Sequence, residues 1–167
     1  MGKPVMITIF VDANLMADLT TGISHTRIIH LMNKTLIEWK SKSHSGVKSA
    51  TYVSEYDAAY ICTDHIVDLC NTLFYIGVPI HMVNGSYNSW ICGDSLLVFN
   101  STVLIDSKTQ YCYHILNYHL TKESQAEGII KFVHMNGNEN NANTTIESRV
   151  SNTWFLLMKP IIFLRDM

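Results

Sequence analysis

The stretch VMITIFVDAN at residues 5–14 constrains the fold more than any other part of the chain. Residues 5–11 are apolar at nearly every position, on both sides of the two-residue alternation. This pattern is typical of a central β-strand that is covered on both faces. The strand runs directly into the carboxylate of Asp12, so the sequence places an acid where a buried strand ends.

Two further strand-like runs follow, and together they predict a β-hairpin. Residues 27–32 and 35–42 are separated only by Asn33 and Lys34, and so tight a connection favours a hairpin. In the second run, Ile37 and Trp39 alternate with Glu38 and Lys40, which predicts a half-buried edge strand.

The hydrophobic period then changes, and residues 51–76 are predicted to form one long amphipathic helix. Its apolar face recurs at spacings of three and four residues, and Gly77 and Pro79 are typical helix-ending residues. The predicted face consists of Tyr56, Ala59, Tyr60, Thr63, Val67, Cys70 and Phe74.

The second half of the chain alternates between strands and helices. We expect a strand at 89–92, a short helix from Ser95, a helix at 114–126 closed by Gly128, a strand at 129–134 and a polar loop at 136–145. Three strands followed by alternation predict a mixed sheet of the α/β class. One domain over residues 1–150 is expected, with residues 151–167 as a tail packed on it.

Composition narrows the functional classes. The chain has 167 residues, 47% of them apolar and 16% charged, so one core suffices. Neither a signal peptide nor an apolar run of about 18 residues is present, which predicts an intracellular protein without a membrane span.

The cysteines at 62, 70, 92 and 112 lack metal-ligand spacing and are expected to be reduced and buried. The net charge of −2 does not suggest a strong nucleic-acid binder.

Three acids stand near the ends of predicted elements, and they suggest a metal site. Asp12 follows the first strand, Glu55 lies in the first predicted turn of the long helix, and Asp94 follows the fourth strand. Hard carboxylate oxygens at one sheet edge are what two divalent ions need for phosphoryl chemistry. Each acid also has an ordinary structural explanation: ending a strand, favouring a helix N-terminus, or capping the next helix.

Longer motifs give a resemblance that favours the metal site. The segments FVDANLMADLTTGISHT, WKSKSHSGVKSATYVSEYDA and YIGVPI, then ICGDSLLVFNS, the YH at 118–119, AEGIIK and NGNENNAN, follow one another in the chain. This order resembles the ribonuclease H domain of copia-type retrotransposon polyproteins, over about residues 3–145. The family reads V-D-A-D, S-H-T-G, W-x-S-K, S-T-x-x-S-E-x-x-A, G-V-P-I, C-D-N-x-S-V-x-x-N-S and D-G-E-x-N-x-A-D at these places.

The resemblance implies a ribonuclease H-like fold, with a five-stranded mixed sheet whose first three strands are antiparallel and with helices on both faces. It also implies cleavage of the RNA strand of RNA–DNA hybrids by two Mg²⁺ ions. The ligand positions fall on Asp12, Glu55, Asp94 and Asn143, and the first three are the catalytic candidates.

Two of these positions depart from the family pattern. The family's third acid follows the cysteine directly, where this chain has Gly93, so Asp94 comes one residue late. A one-residue slip turns a strand side chain to the other face, unless the strand end is irregular or an insertion compensates. The fourth acid is the neutral Asn143. The other departures are Asn14, Gly22, Ile23, Arg27 and Glu147.

Three hypotheses remain open from the sequence. The first is a ribonuclease H-like domain whose hybrid cleavage is impaired or lost. The second is a domesticated, non-catalytic module that binds protein or nucleic acid. The third is a decayed element without a selected role.

Overall fold

A computed structural model describes residues 4–15, 20–47, 50–83, 86–87, 89–104 and 115–145. The helices and strands, in chain order, are β1 (Ile7–Asn14), β2 (Ile23–Met32), β3 (Thr35–Val47), α1 (Thr51–Tyr75), β4 (Met82–Val83), β5 (Ser86–Tyr87), β6 (Ser89–Gly93), α2 (Leu96–Val103), α3 (Ile115–Ala126), β7 (Ile130–His134) and a short 3-10 helix (Asn141–Thr145).

The main sheet has five strands in the order β3-β2-β1-β6-β7. The first three strands are antiparallel, whereas β6 is parallel to both β1 and β7. Strand β1 is therefore central, as its two-sided apolar pattern predicts. Strands β4 and β5, which the sequence did not predict, form a separate two-stranded ribbon.

The predicted hairpin between β2 and β3 is confirmed. Asn33 and Lys34 both have positive φ angles, 50° and 69°, and together they form a two-residue turn that matches the twist of the flanking strands. The expectation of a half-buried β3 is wrong, because the side chains of Ile37 and Trp39 are 44% and 68% exposed. Strand β3 is the edge of the sheet, and burial there depends on what covers the face rather than on alternation.

Helix α1 ends as predicted, and Gly77 adopts the left-handed conformation (φ 73°) just after it. Tyr56, Ala59, Thr63 and Cys70 are buried. Phe74, however, is 70% exposed, and Leu73 is buried in its place. The apolar stripe drifts around a helix of 25 residues, so a spacing pattern followed from its start points to the wrong residue near its end.

One hydrophobic core lies between the sheet and the three helices. Ile7, Ile9 and Val11 of β1 belong to it, as do Ile66 of α1 and Tyr118 of α3. Because α1, α2 and α3 also contact one another, they share one face of the sheet. A smaller cluster on the other face contains Phe10, Ile29, Leu31 and Leu36, and no α-helix in the described ranges lies against it.

Other expectations concern the cysteines, the membrane and the tail. Cys62, Cys70 and Cys92 are free and buried, as predicted. Within the described residues, none of the helices combines the length and apolar character that a membrane span requires. The tail at 151–167 and Cys112 lie outside the described residues.

Candidate active site

The three acids that the sequence singled out line one pocket. Asp12 comes from β1, Glu55 from α1 and Asp94 from the segment between β6 and α2. The pocket is formed where the parallel strands β1 and β6 end beside the N-terminal part of α1. The sheet order thus brings together acids that are far apart in the sequence.

Asp12 lies within β1 and does not end it, because the strand continues to Asn14. Its side chain is only 9% exposed, and its Oδ2 has no hydrogen-bond partner among the described residues. Burial raises the pKa of Asp12 to about 7, and the negative charges of Asp94 and Glu55 contribute to that rise. An explanation of Asp12 as a simple strand-ending residue therefore does not fit its position or its burial.

Glu55 is the fifth residue of α1, so the expectation that it lies in the first helical turn is wrong, and that turn contains no acid. Burial raises the pKa of Glu55 and so does Asp94, whereas a hydrogen bond with the Ser95 side chain lowers it. Glu55 faces other acids across the pocket rather than stabilising the helix N-terminus.

Asp94 reaches the pocket in spite of its one-residue offset. Strand β6 ends at Gly93, and the chain bends at Asp94, so strand alternation no longer fixes the direction of this side chain. Asp94 is not the helix cap either, because the hydroxyl of Ser95 accepts a hydrogen bond from the backbone N–H of Val98 at 3.4 Å.

Asn143, the fourth predicted ligand position, contacts Asp94. Its side-chain Nδ2 donates to Asp94 Oδ2 at 3.2 Å and to the carbonyl of Gly137 at 2.8 Å. An amide that donates to a carboxylate occupies one of the oxygens on which a cation would otherwise bind. The structure thus brings all four predicted residues together, and it links two of them directly.

The segment before Asn143 is held against β1 by specific contacts. Asn140 is fully buried, donates to the carbonyl of Val11 at 2.8 Å and accepts from Ala142 N–H at 3.0 Å. A Cβ on Gly137 would lie 2.9 Å from Asp94 Oδ2. The motif NGNENNAN therefore keeps glycine, asparagine and alanine where close approach and buried hydrogen bonds require them.

Arg27 is a neighbour of the pocket that the sequence showed only as a departure from the family. It is paired with Asp12 in the register of β1 and β2, and residues paired across strands lie on one face of a sheet. Burial lowers the pKa of Arg27, and Asp12 opposes that shift. A cation therefore lies beside Asp12, the most buried of the three acids that line the pocket.

Two further residues at the site were missed by sequence reasoning. Ser95 hydrogen-bonds with Glu55, and His134 Nε2 donates to the backbone carbonyl of Asp94 at 3.2 Å. Neither contact has a local sequence signal, because each depends on which strand lies next to which. His134 stands at the end of β7, so only the strand order places it beside Asp94.

The residues suit a divalent ion in kind but not in arrangement. Carboxylate oxygens are the ligands that Mg²⁺ prefers, and the unpartnered Oδ2 of Asp12 is suited to binding one. Within the described part of the chain, however, no three His, Cys, Asp or Glu side chains are grouped so that they could hold a metal ion. The bond between Asn143 and Asp94 is part of that disagreement.

The chain matches no protein-family model and no curated protein sequence, but solved structures are similar to it. One is the N-terminal ribonuclease H domain of a Mycobacterium tuberculosis protein, with 13% identity, a TM-score of 0.60 and coverage of 84% of this chain and 95% of that one. Another is ribonuclease H1 of Halobacterium salinarum, with 12% identity, a TM-score of 0.57 and coverage of 86% and 94%.

A third is a ribonuclease H1 isolated from compost, solved in complex with an RNA/DNA hybrid, with 14% identity, a TM-score of 0.54 and coverage of 89% and 92%. Identities this low establish shape and not activity. The strand order, the antiparallel first three strands and these likenesses agree, and the chain has the ribonuclease H-like fold.

Proposed function

We propose that this chain is a ribonuclease H-like domain derived from a copia-type retrotransposon, with an ancestral hybrid-cleaving activity that is now weak or lost. The observation that carries the proposal is the carboxylate pocket: three acids of the expected set face one another, while the fourth position is an amide bonded to one of them. The pocket supports the ancestry, and the amide supports the impairment.

The substrate in this proposal is an RNA–DNA hybrid. A similar solved ribonuclease H1 is complexed with such a hybrid, and the sequence motifs resemble a family that cleaves hybrids. Mg²⁺ would be held by Asp12, Glu55 and Asp94, with the amide oxygen of Asn143 as a weaker fourth ligand. Two ions held there would supply the activation of water and the stabilisation of the leaving oxygen.

Within the described residues the acids are not grouped as a metal site, and no hydrolytic step follows from their arrangement. What the residues themselves do is electrostatic. At neutral pH, Asp12 is close to its raised pKa of about 7, and burial together with Asp94 and Glu55 disfavours its charge. Losing one ligand of a two-metal site corresponds to several kcal/mol of transition-state stabilisation, or about 10³-fold in rate.

Restoring the fourth acid is the sharpest test of this proposal. We expect wild-type protein to cleave a labelled hybrid weakly or not at all with Mg²⁺ or Mn²⁺, and Asn143→Asp to raise the rate at least about tenfold because it returns a charged ligand and removes the amide donor. The conservative control Asp68→Asn, on the exposed side of α1, should change nothing. Robust wild-type turnover that Asp12→Asn abolishes would refute the impairment.

A non-catalytic module that binds a protein is the second candidate, and one observation favours it. Leu96, Leu97, Leu104 and Leu116 of the α2–α3 region are each more than half exposed, and large exposed apolar side chains are typical of contact surfaces. Hybrid binding at low and high salt separates the candidates, because a steep salt dependence requires retained phosphate contacts. The division of the chain into a domain over residues 1–150 and a tail over residues 151–167 is likewise part of this proposal.

A further inference from the structure

Arg27 and Asp12 present opposite charges to each other from neighbouring strands. They are paired in the antiparallel register of β1 and β2, so their side chains leave the same face of the sheet. Each also has a buried polar atom with no hydrogen-bond partner in the described part of the chain, Nη1 in Arg27 and Oδ2 in Asp12. Burying a charged group without a hydrogen bond is costly. Opposite charges on neighbouring strands lower that cost for each other.

The surroundings of Asp12 make a nearby cation valuable. Asp94 and Glu55 both add negative charge around it, and like charges at close range destabilise one another. The charge of Arg27 favours the ionised form of Asp12, and Asp12 favours the charged form of Arg27. Among the described residues the direct ion pairs involve Glu38 and not Arg27 or Asp12. The attraction between Arg27 and Asp12 is therefore a longer-range Coulomb interaction.

We propose that Arg27 is the internal counter-cation of the carboxylate pocket, and that its fixed positive charge keeps divalent ions out. A guanidinium beside Asp12 supplies part of the neutralisation that a metal ion would supply, and it repels an ion that approaches the same oxygens. This inference rests on the proposed function, since it explains why a pocket that keeps three acids is not arranged as a metal site. In this role Arg27 acts on the charge of the pocket and not on a substrate.

Metal affinity, measured on the full chain by calorimetric titration with Mn²⁺, tests the proposal. We expect Arg27→Gln to bind Mn²⁺ at least about tenfold more tightly than wild type, because the opposing charge is gone. Arg27→Lys keeps the charge and should remain within about threefold of wild type. In the same samples, Mn²⁺ should raise the melting temperature of Arg27→Gln and leave that of wild type unchanged.

Lys42→Gln is the matched control, because it removes one positive charge from the next strand, on a residue paired with Thr26 rather than with Arg27. Its Mn²⁺ affinity should stay close to that of wild type. The proposal is overturned if Arg27→Gln binds Mn²⁺ no more tightly than wild type, or if Lys42→Gln gives the same increase.

A double-mutant cycle keeps the proposal testable if Arg27→Gln folds poorly. Arg27→Gln should lower the melting temperature by about 3 °C or more in the wild-type background, and by less than half as much in Asp12→Asn. If Arg27→Gln does not fold and the double variant with Asp12→Asn does, the coupling is supported. Equal losses of melting temperature in both backgrounds would assign Arg27 to packing and refute the proposal. Wild type can be inactive on hybrids while Arg27→Gln gains no Mn²⁺ affinity, so this inference can fail while the proposed function stands.

Discussion

At the scale of single residues, burial of Asp12 should make stability depend on pH. Its pKa is about 7 in the folded chain, raised from an ordinary value of 3.8 with burial as the main cause. The folded state therefore holds an extra proton between these values, so its stability falls as the pH rises from 3.8 to about 7 and levels off above that. Asp12→Asn removes this loss, so its gain in free energy of unfolding over wild type should be about 2 kcal/mol larger at pH 8 than at pH 5. Urea denaturation at the two pH values measures it, and an equal gain at both would contradict the assignment.

His30 should produce a dependence of the opposite sign. It is 4% exposed, its Nδ1 lies 3.2 Å from Glu38 Oε2, and burial followed by the nearby His65 lowers its pKa to about 4 from 6.5. The unfolded chain takes up a proton that the folded chain refuses, so stability falls as the pH drops from about 6.5 towards 4. His30→Gln should remove about 2 kcal/mol of the loss between pH 7 and pH 5, measured by urea denaturation at the two pH values, and an unchanged loss would contradict the assignment. Because the Asp12 and His30 effects oppose each other in this range, the wild-type profile alone should look flat.

At the scale of elements, the turn of the β2–β3 hairpin contains avoidable strain. Lys34 has a φ of 69°, a left-handed conformation that costs an L-residue about 1 kcal/mol and glycine almost nothing. We expect Lys34→Gly to raise the free energy of unfolding by about 0.5 kcal/mol, since the greater freedom of glycine in the unfolded chain offsets part of the gain. Lys34→Ala removes the same side chain and keeps the strain, so it should give no increase. Equal effects of the two substitutions would assign the change to the lost lysine charge.

The same scale shows how far the sequence predicts this molecule. The central strand, the hairpin and the end of α1 were predicted correctly because their signals are local. These signals are apolar residues on both faces of the strand, a two-residue turn and Gly77. The exposure of Trp39 was not predicted, because it depends on what covers the face of an edge strand. Nor did the sequence show that Asp94 turns into the pocket or that Arg27 stands across from Asp12. Those facts depend on the bend after β6 and on strand register, and residue types along the chain do not encode either one locally.

At the scale of the whole molecule, charge limits how this fold can bind nucleic acid. Arginine and lysine number 12 against 14 acids, and three of those acids lie in the carboxylate pocket at the end of the sheet where a hybrid would approach. The logarithm of the binding constant falls with the logarithm of salt by about 0.9 for each phosphate neutralised. We expect hybrid binding to be weak, with a slope no steeper than about −2, in filter binding between about 50 and 200 mM salt. A wild-type slope near about −6 would mean that a cationic groove survives, and it would favour a retained nucleic-acid partner over a protein partner.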